Sequence, residues 1–385
     1  MRDVAVVGYG LAKFGERWEA GLKELVSEAS VAAMDNAGIE PKEIECLFTG
    51  SMSSGRFANQ EHLGALVADQ LGLTPKPSVR VEAACASGGV AVRQAYLAIA
   101  SGAYDMAMVV GVEKMTDVNV NAATTTLGIA GDYEWEVFHG ATFPALYAMM
   151  ARRHMYEFGT TEEQMALVSV KNHLNGSKNK FAQYQNILTL DAVMNSSVVA
   201  SPLKLLDCSP ITDGAAALIL TSEKLAKKVT DAPVWIAASA QASDTLALHD
   251  RESLTSLKAT RVAAESAYKQ AKVKSNEINV AEVHDCFSIA EIMAIEDLGF
   301  FEKGQGGKAV KEGETQLNSK ISVNTSGGLK ACGHPVGATG VKQIVELSMQ
   351  LRNEAGSRQV SNAKVGLAQN VGGSGATAVV HILRR

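Results

Sequence analysis

The sequence predicts an α/β protein built from two related halves with a mostly helical segment inserted between them. Three observations support this fold class. Short β-branched runs alternate with Ala-rich segments of helical period, similar segments recur in the same order in both halves, and the region between the halves has a different composition. A chain of 385 residues can form two or three domains with a core of ordinary size.

Strands and helices alternate along the first half. Helical periodicity is clear from Leu22 to Ala33, ahead of the stop signal Gly38. The predicted strands are Val4–Gly8, Ile44–Thr49, Ser78–Glu82 and Met106–Gly111. The predicted helices are Leu22–Asn36, His62–Leu71 and Ala86–Ser101. This alternation predicts a mostly parallel sheet covered by helices.

The second half repeats this plan. With a shift of 234 positions, Ala33 coincides with Ala267 and Glu43 with Glu277. With a shift of 249 positions, Gly88 coincides with Gly337. Further on, DGAAALIL at 213–220 resembles SGATAVVHIL at 374–383. Each match alone is weak, but their common order makes a duplication the better interpretation than chance similarity.

Residues 119–197 differ from both halves. They contain Trp135, several Met, many Asn and Gln, and the basic stretch Lys171–Lys180, and we predict a mostly helical insertion. The predicted division is an N-terminal half (1–118 and 198–230), an inserted region (119–197) and a C-terminal half (231–385).

Composition narrows the function classes. With 36 Lys and Arg against 41 Asp and Glu and only 5% aromatic residues, the chain has neither a basic excess nor the stacking residues for nucleic acid. Five widely spaced cysteines indicate a reduced, cytoplasmic protein rather than a disulfide framework. The first residues are not apolar for long enough to form a signal peptide, and no segment approaches the roughly 20 apolar residues of a membrane span.

Cys85 is the first candidate catalytic residue. It lies in VEAACASGGVAV, where a predicted strand leads through small residues into a helix. Backbone N–H groups at a helix N-terminus stabilise an anion, so this position is expected to lower the thiol pKa toward neutrality. A buried structural cysteine is the alternative.

His334 is the second candidate, in NTSGGLKACGHPVGATG at 324–340. The shift of 249 places it where Cys85 lies in the first half. If a pseudo-twofold axis relates the halves, two helix N-termini face one cleft and bring together a thiol and an imidazole, which is the nucleophile and base pair of thiol catalysis. The alternative is a histidine that only caps a turn.

The segment HDCF at 284–287 supplies two more candidates. It follows the predicted strand Ile278–Val283, and the carboxyl ends of parallel strands line the ligand crevice. His284 and Cys286 should open on the cleft, while Asp285 should point away. The cluster NVGGSG at 370–375 can present backbone N–H groups to an anion. GYG at 8–10 lacks the third glycine of a dinucleotide fingerprint, so no nicotinamide site is expected.

A zinc site is the competing interpretation. His284, Cys286, Cys332 and His334 together have the ligand types of a structural zinc centre. Their spacing is not the usual pair of close knuckles, and Cys85 would have no role, so the prediction is that no metal is bound.

Taken together, the segments AACASGG, SPITDGAAA and GHPVGATG and the terminal glycine loop resemble the thiolase family over essentially the whole chain. HDCF in place of NEAF resembles the sterol-carrier-type and archaeal branch. The resemblance implies a thiolase-like duplicated αβαβα five-layer fold whose inserted loop domain binds coenzyme A. It also implies acetyl-CoA C-acetyltransferase activity on coenzyme A thioesters, with no further cofactor.

The resemblance also implies a role for each site residue. Cys85 would be the nucleophile, His334 the base, Cys286 the acid/base and His284 part of an oxyanion hole. A second oxyanion hole would use the backbone N–H groups of Cys85 and Gly372, and Ser209 would lie near the pantetheine arm. Bacterial thiolases carry a second catalytic cysteine where this chain has Asn370, and in the HDCF branch Cys286 supplies it.

Partners follow from the same resemblance. We expect a homodimer or homotetramer that feeds the mevalonate route to isoprenoids, in a complex with HMG-CoA synthase and a small zinc-bearing OB-fold protein. β-Ketoacyl synthases share the fold and use two histidines, which His284 and His334 could imitate, but Cys286 beside them favours a thiolase. Two other functions stay open: a 3-ketoacyl-CoA thiolase of longer chains, and a catalytically silent scaffold or lipid carrier.

Overall fold

The computed structural model describes residues 2–385 as a mixed α/β structure with two five-stranded sheets joined edge to edge into one ten-stranded sheet, and a separate pair of short strands. The strands are β1 Val4–Leu11, β2 Cys46–Gly50, β3 Ser78–Val81, β4 Met106–Glu113, β5 Val198–Ala200, β6 Leu203–Lys204, β7 Gly214–Ser222, β8 Val234–Ser243, β9 Val280–Glu282, β10 Ser322–Val323, β11 Val365–Gly372 and β12 Thr377–Arg384. The helices are α1 Leu22–Ala37, α2 Ser54–Phe57, α3 Leu63–Gln70, α4 Ser87–Ala100, α5 Val120–Gly128, α6 Phe143–Phe158, α7 Glu162–Gly176, α8 Leu190–Met194, α9 Glu223–Val229, α10 Lys258–Ala271, α11 Ser288–Asp297, α12 Gly306–Lys311, α13 Gly328–Cys332 and α14 Thr339–Arg352.

The two halves have the same strand order. The first sheet runs β3-β2-β4-β7-β1 and the second β10-β9-β11-β12-β8, and they join edge to edge where Ala5 and Val6 of β1 pair with β8. When the five strands of each half are numbered in chain order, both sheets have the order 3-2-4-5-1. This identity confirms the duplication.

Each sheet is mixed, unlike the mostly parallel sheet predicted from the alternation of elements. β3, β2 and β4 run parallel, but β7 is antiparallel to both of its neighbours, β4 and β1. The reason lies at the end of β4, where Glu113 pairs with Gly214. The inserted segment leaves and returns at this one end of the sheet, so the chain enters β7 in the reverse direction. α5 to α8 therefore lie at the carboxyl end of β4. In the second sheet, residues 373–376 make the same reversal between β11 and β12 without an insertion.

Five layers stack in the order helix, sheet, helix, sheet, helix, as the predicted fold class requires. Apolar side chains of α1 and α3 pack on the outer face of the first sheet. Those of α4 and α14 fill the space between the sheets, and those of α10 and α11 cover the second sheet. The first turns of α4 and α14 touch, since a Cβ on Gly88 would lie 3.1 Å from the backbone nitrogen of Gly340.

The structure corrects the shift that relates the central helices. α1 and α10 end at Ala37 and Ala271, which agrees with the predicted shift of 234. α4 and α14 both have 14 residues and begin at Ser87 and Thr339, so their shift is 252 and the predicted 249 is wrong. Cys85 corresponds to Gly337, not to His334. Matching glycines in a segment this rich in small residues cannot detect a slip of three positions.

The predicted elements of the first half occur with ends displaced by up to three residues. The predicted glycine cluster at 370–375 is different, because its first three residues still belong to strand β11. The predicted limits of the inserted region stay a prediction. Among residues 2–385, no helix combines the length and apolar character needed to cross a lipid bilayer.

Candidate active site

The loop between β3 and α4 holds Cys85 in a strained turn. Ala84 has φ +50°, in the left-handed region that a residue with a side chain seldom occupies. The Ser87 hydroxyl fixes this turn by accepting from the Ala83 N–H at 2.9 Å and donating to the Ala84 carbonyl at 2.6 Å. Backbone strain of this kind is concentrated at functional sites, where the surrounding structure holds it in place.

Burial determines the pKa of the Cys85 thiol. The residue is only 8% exposed, and desolvation raises the pKa of its thiol to about 12, although a hydrogen bond from the Gly373 N–H acts in the opposite direction. The predicted lowering of this pKa toward neutrality is therefore wrong for the protein without substrate. Removing the sulfur from water destabilises the thiolate by more free energy than the nearby N–H groups contribute to its stability.

His334 presents an unpaired ring nitrogen to the site. Its Nδ1 lies 2.7 Å from the Thr339 hydroxyl, which also reaches the Pro335 carbonyl at 3.2 Å. A helix threonine commonly donates its one proton to this i−4 carbonyl, so Thr339 accepts from Nδ1–H and leaves a lone pair on Nε2. Nε2 has no partner, and burial holds the pKa of the ring well below its ordinary value. His334 is thus a neutral imidazole with a free basic nitrogen.

His284 lies against His334 at the end of β9. Its backbone N–H donates to Gln369 Oε1 at 2.8 Å, and its Nδ1 lies 3.1 Å from Asn370 Nδ2. Its Nε2 is buried and has no partner. Burial lowers the pKa of this ring to about 3, so it is also neutral at physiological pH.

The structure brings the thiol and both imidazoles to one point. The Sγ of Cys85 and one ring nitrogen each of His284 and His334 lie within 4.8 Å of one another. The two rings meet edge to face, with centroids 5.0 Å apart. Residues separated by up to 249 positions in the chain therefore form one cluster, as predicted from the paired helix N-termini.

Cys286 opens on the same cavity. This cavity has a volume of about 150 Å³, and its wall includes Cys85, Ser209, Cys286 and His334. Tyr147 lines the cavity together with Cys286, and its hydroxyl donates to the Gly373 carbonyl at 3.1 Å. Burial and the nearby Cys85 sulfur both raise the pKa of the Cys286 thiol, so it is protonated in the resting protein.

Ser209 and Gly372, two predicted site residues, differ in their position relative to the cavity. Ser209 lines the cavity, and its N–H donates to the Cys286 carbonyl at 2.9 Å. Gly372 is the last residue of β11 and packs on the Ala83 carbonyl, whereas the next residue, Gly373, lines the cavity. The role of the Gly372 N–H in an oxyanion hole stays a prediction.

The competing zinc set is not assembled. Within residues 2–385, the His, Cys, Asp and Glu atoms close enough to share a metal ion are those of Cys85, His284 and His334. The set excludes Cys286 and also Cys332, which is buried at the end of α13 with Asn179 Nδ2 3.6 Å from its sulfur.

Buried carboxylates hold the loops that carry these side chains. Asp285 points away from the cavity, as predicted, and accepts from the Leu329 N–H and from Asn172 Nδ2, both at 2.7 Å. Glu113 accepts from the Met52 N–H at 2.8 Å and the Gly337 N–H at 3.1 Å, which ties the His334 loop to the first half.

Sequence reasoning missed Tyr147, Thr339 and Glu113, whereas Gly373 lies within the predicted glycine cluster at 370–375. The Thr339 hydroxyl lies only five positions from His334, and a polar residue that close to a candidate base is a usable signal. Tyr147 gave no signal, because it lies in α6 among apolar residues and meets Cys286 only through the tertiary fold.

A second cavity of about 260 Å³ adjoins the first. The two share Cys208, Ser209 and Pro210, and the second is also lined by His173, Tyr184 and Leu206. Ser209 therefore lies at the boundary between the two cavities.

The sequence was compared with known families and proteins. Residues 4–224 match the family description "Thiolase, N-terminal domain", and residues 240–385 match "Thiolase C-terminal domain-like". The chain is 54% identical, over all of both chains, to a protein of Methanothermobacter thermautotrophicus named acetyl-CoA acetyltransferase. It is 34% identical to sterol carrier protein 2 of Bos taurus, over 98% of this chain and 71% of that protein.

A solved structure has the same fold. The structure titled "Ltp2-ChsH2(DUF35) aldolase" superposes with a TM-score of 0.85 at 25% identity, covering 99% of this chain and 97% of the other. The family matches, the full-length identity and the five-layer fold all agree, and this chain belongs to the thiolase family.

Proposed function

We propose that this protein is an acetyl-CoA C-acetyltransferase, which condenses two acetyl-CoA into acetoacetyl-CoA and CoA through an acetyl-Cys85 intermediate. The observation that carries the proposal is the cluster of Cys85 Sγ with two neutral imidazoles, beside a cavity that Cys85, His334 and Cys286 line. The full-length relative named acetyl-CoA acetyltransferase supports the choice of substrate.

In the first half-reaction, Cys85 attacks the thioester carbonyl of acetyl-CoA. Its proton passes to His334 Nε2 as the carbon–sulfur bond forms, because a thiol with its pKa raised by burial does not ionise beforehand. The N–H groups of Gly373 and Cys85 lie near the sulfur and can stabilise the tetrahedral oxyanion, at roughly 3–4 kcal/mol for each donor. The CoA thiolate leaves with the proton of Cys286, so Cys286 becomes a thiolate.

In the second half-reaction, the Cys286 thiolate removes a proton from the methyl carbon of a second acetyl-CoA. Its raised pKa makes this thiolate a strong base. His284 and the protonated His334 stabilise the enolate oxygen. The enolate carbon attacks the acetyl group on Cys85, and the departing Cys85 sulfur takes its proton back from His334. All groups return to their starting protonation.

Mass spectrometry after mixing with acetyl-CoA tests the proposal. We expect one acetyl group on Cys85 and release of acetoacetyl-CoA. Cys286→Ala should still acetylate at Cys85 but lose condensation, and retained condensation in that variant would remove Cys286 from its role. Cys46→Ala is the matched control, because Cys46 is a buried cysteine in strand β2 and does not line the cavity.

A longer-chain 3-ketoacyl-CoA thiolase is the second candidate, and the apolar second cavity favours it, since that cavity could hold an acyl chain instead of pantetheine. A series of 3-ketoacyl-CoA substrates of increasing length separates the two. The acetyl-transfer proposal predicts that kcat/KM is highest for acetoacetyl-CoA. A catalytically silent scaffold would cleave none of them.

The cellular setting completes the proposal. The substrates are coenzyme A thioesters, with Ser209 beside the pantetheine arm and no further cofactor. The product feeds the mevalonate route to isoprenoids from the cytoplasm. The protein acts as a homodimer or homotetramer, in a complex with HMG-CoA synthase and a small zinc-bearing OB-fold protein. A neighbour whose title joins Ltp2 to ChsH2(DUF35) supports assembly with a second protein, and co-purification with mass measurement tests it.

A further inference from the structure

Asn370 connects the nucleophile loop to His284. It lies in β11, is 1% exposed and contacts three groups with its side-chain amide. Oδ1 accepts from the Gly89 N–H at 3.1 Å, and Nδ2 donates to the Cys85 carbonyl at 3.0 Å. Nδ2 also lies 3.1 Å from His284 Nδ1.

The two backbone contacts fix the orientation of this amide. An N–H can only donate and a carbonyl can only accept, so Oδ1 must face Gly89 and Nδ2 must face Cys85. A flipped amide would leave both backbone groups facing the wrong atom. Asn370 Nδ2 is therefore a donor toward His284 Nδ1, which must accept with a lone pair.

We propose that Asn370 is a positioning residue, which holds His284 as the neutral tautomer with its proton on Nε2, directed at the reacting atoms. This proposal rests on the proposed function and deepens it. It assigns the unpartnered His284 Nε2 as an N–H donor to the enolate oxygen. The two histidines then carry their protons on opposite nitrogens, since His334 has Nδ1–H and a free lone pair on Nε2.

This assignment separates the chemistry of two adjacent imidazoles. A base needs a lone pair, and an oxyanion hole needs a proton donor that costs no reorganisation during the reaction. The same tautomer disfavours a metal ion at Cys85, His284 and His334, because a protonated Nε2 has no lone pair to offer.

The surroundings of His284 favour the neutral ring. The His284 ring is buried and meets the His334 ring edge to face, and the Cys85 sulfur lies within 4.8 Å of one of its nitrogens. Burial and the positive charge of Lys342 in α14 both disfavour the imidazolium. Lys342 Nζ donates to Glu282 Oε2 at 3.1 Å, so the nearby carboxylate is paired with Lys342 and not with the His284 ring.

Nitrogen-15 NMR of histidine-labelled protein tests the assignment without a substitution at position 370. We expect His284 to show a protonated Nε2 and an unprotonated Nδ1, and His334 to show the reverse. The His284 signals are identified by their loss in His284→Gln. A protonated Nδ1 on His284 in the unmodified protein would overturn the proposal.

Asn370→Asp tests the consequence for catalysis. An aspartate can only accept, so His284 must place a proton on Nδ1, and the neutral ring then turns a lone pair toward the enolate. We expect condensation by pre-acetylated enzyme to fall roughly 100-fold, which is the typical effect of losing one oxyanion donor. The rate of Cys85 acetylation should fall by a factor at least ten times smaller than the factor for condensation.

A pH profile separates this role from a merely structural one. The carboxylate beside Nδ1 favours the imidazolium, which carries N–H groups on both nitrogens. Condensation by Asn370→Asp should therefore recover as the pH is lowered, whereas the unmodified enzyme gains nothing. An equal fall in both half-reactions with no recovery at low pH would refute the positioning role.

Asn279→Ala is the matched control. Asn279 accepts from the Lys364 and Val365 N–H groups at 2.8 and 2.9 Å, at the other end of strand β11. We expect it to leave the His284 tautomer and the ratio of the two half-reactions unchanged. Failure of acetyl-CoA to acetylate unmodified Cys85 would refute the proposed function instead, and the NMR result would stand apart from it.

Discussion

The two halves of the molecule share a strand order but contribute different residues to the site. The shifts that superpose their elements pair Gly50 with His284 at the ends of β2 and β9. They pair Cys85 with Gly337 ahead of the central helices. β4 and β11 both have eight residues, and their shift of 259 pairs Gly111 with Asn370. At each of the three positions, one half has glycine and the other has a residue of the site.

The glycines make room for the residues of the other half. A Cβ on Gly111 would lie 2.4 Å from the Gly337 carbonyl oxygen, and a Cβ on Gly337 would lie 2.6 Å from the Gly50 carbonyl oxygen. The loop that carries His334 therefore occupies the space that side chains fill in the equivalent part of the second half. A duplicated fold has in this way produced one asymmetric site instead of two symmetric ones.

Replacing the one reactive residue of the first half should have the largest effect. Cys85→Ala removes the group that carries the acetyl intermediate, so acetoacetyl-CoA formation should fall roughly 10⁴-fold or more. Steady-state condensation assays measure this loss, and circular dichroism checks that the fold is kept. Activity within tenfold of the unmodified protein would place the nucleophile in the second half.

The two histidines of the second half should differ from each other. His334→Gln removes the base, and both half-reactions should slow by about 10²- to 10⁴-fold. His284→Gln should slow mainly the condensation step, because this ring faces the enolate. Rapid quenching of the acetylation and condensation steps gives the two rates separately. Equal losses in both variants would mean that the rings share one role.

Gly111→Ala should destabilise the protein and displace the His334 loop. Its Cβ would meet backbone atoms that have no way to move aside, and overpacking of this kind costs roughly 1–3 kcal/mol. Gly366→Ala is the matched control in β11, since its Cβ would meet only the Leu347 side chain, at 3.0 Å or more. Urea denaturation measures both free energies of unfolding. A smaller loss for Gly111→Ala than for Gly366→Ala would contradict the close-packing explanation.

Moderate acidification should have the smallest effect. His284 has a pKa lowered to about 3, and burial also lowers the pKa of His334 well below the ordinary 6.5. Both rings therefore stay neutral between pH 8 and 6, and kcat/KM for condensation should change less than about twofold on this account. An inflection near pH 6.5 that disappears in His334→Gln would show that the base is solvated.

Much of the fold and part of the site could be predicted from local patterns. The periodicity of Leu22–Ala33 and the strand before Cys85 gave the elements, because hydrophobic period and small-residue turns are local properties. The meeting of Cys85 with His334 followed from the repeated order of those elements. The pairing of the central helices was wrong by three positions, since the loop before α14 has no counterpart of equal length before α4.

The sequence by itself determined the duplication, the strand and helix order and the chemical identity of the reactive residues. Each of these depends on patterns within a few turns of chain or on similarity between two segments. Only the tertiary structure decided which protonation states those residues adopt. Burial raises the pKa of the Cys85 thiol and lowers those of both imidazoles. The segments that bury these groups come from distant parts of the chain, and Asn370 Nδ2, 86 positions from His284, lies 3.1 Å from its Nδ1. Desolvation and hydrogen bonding act through space, so no local pattern in the sequence records them.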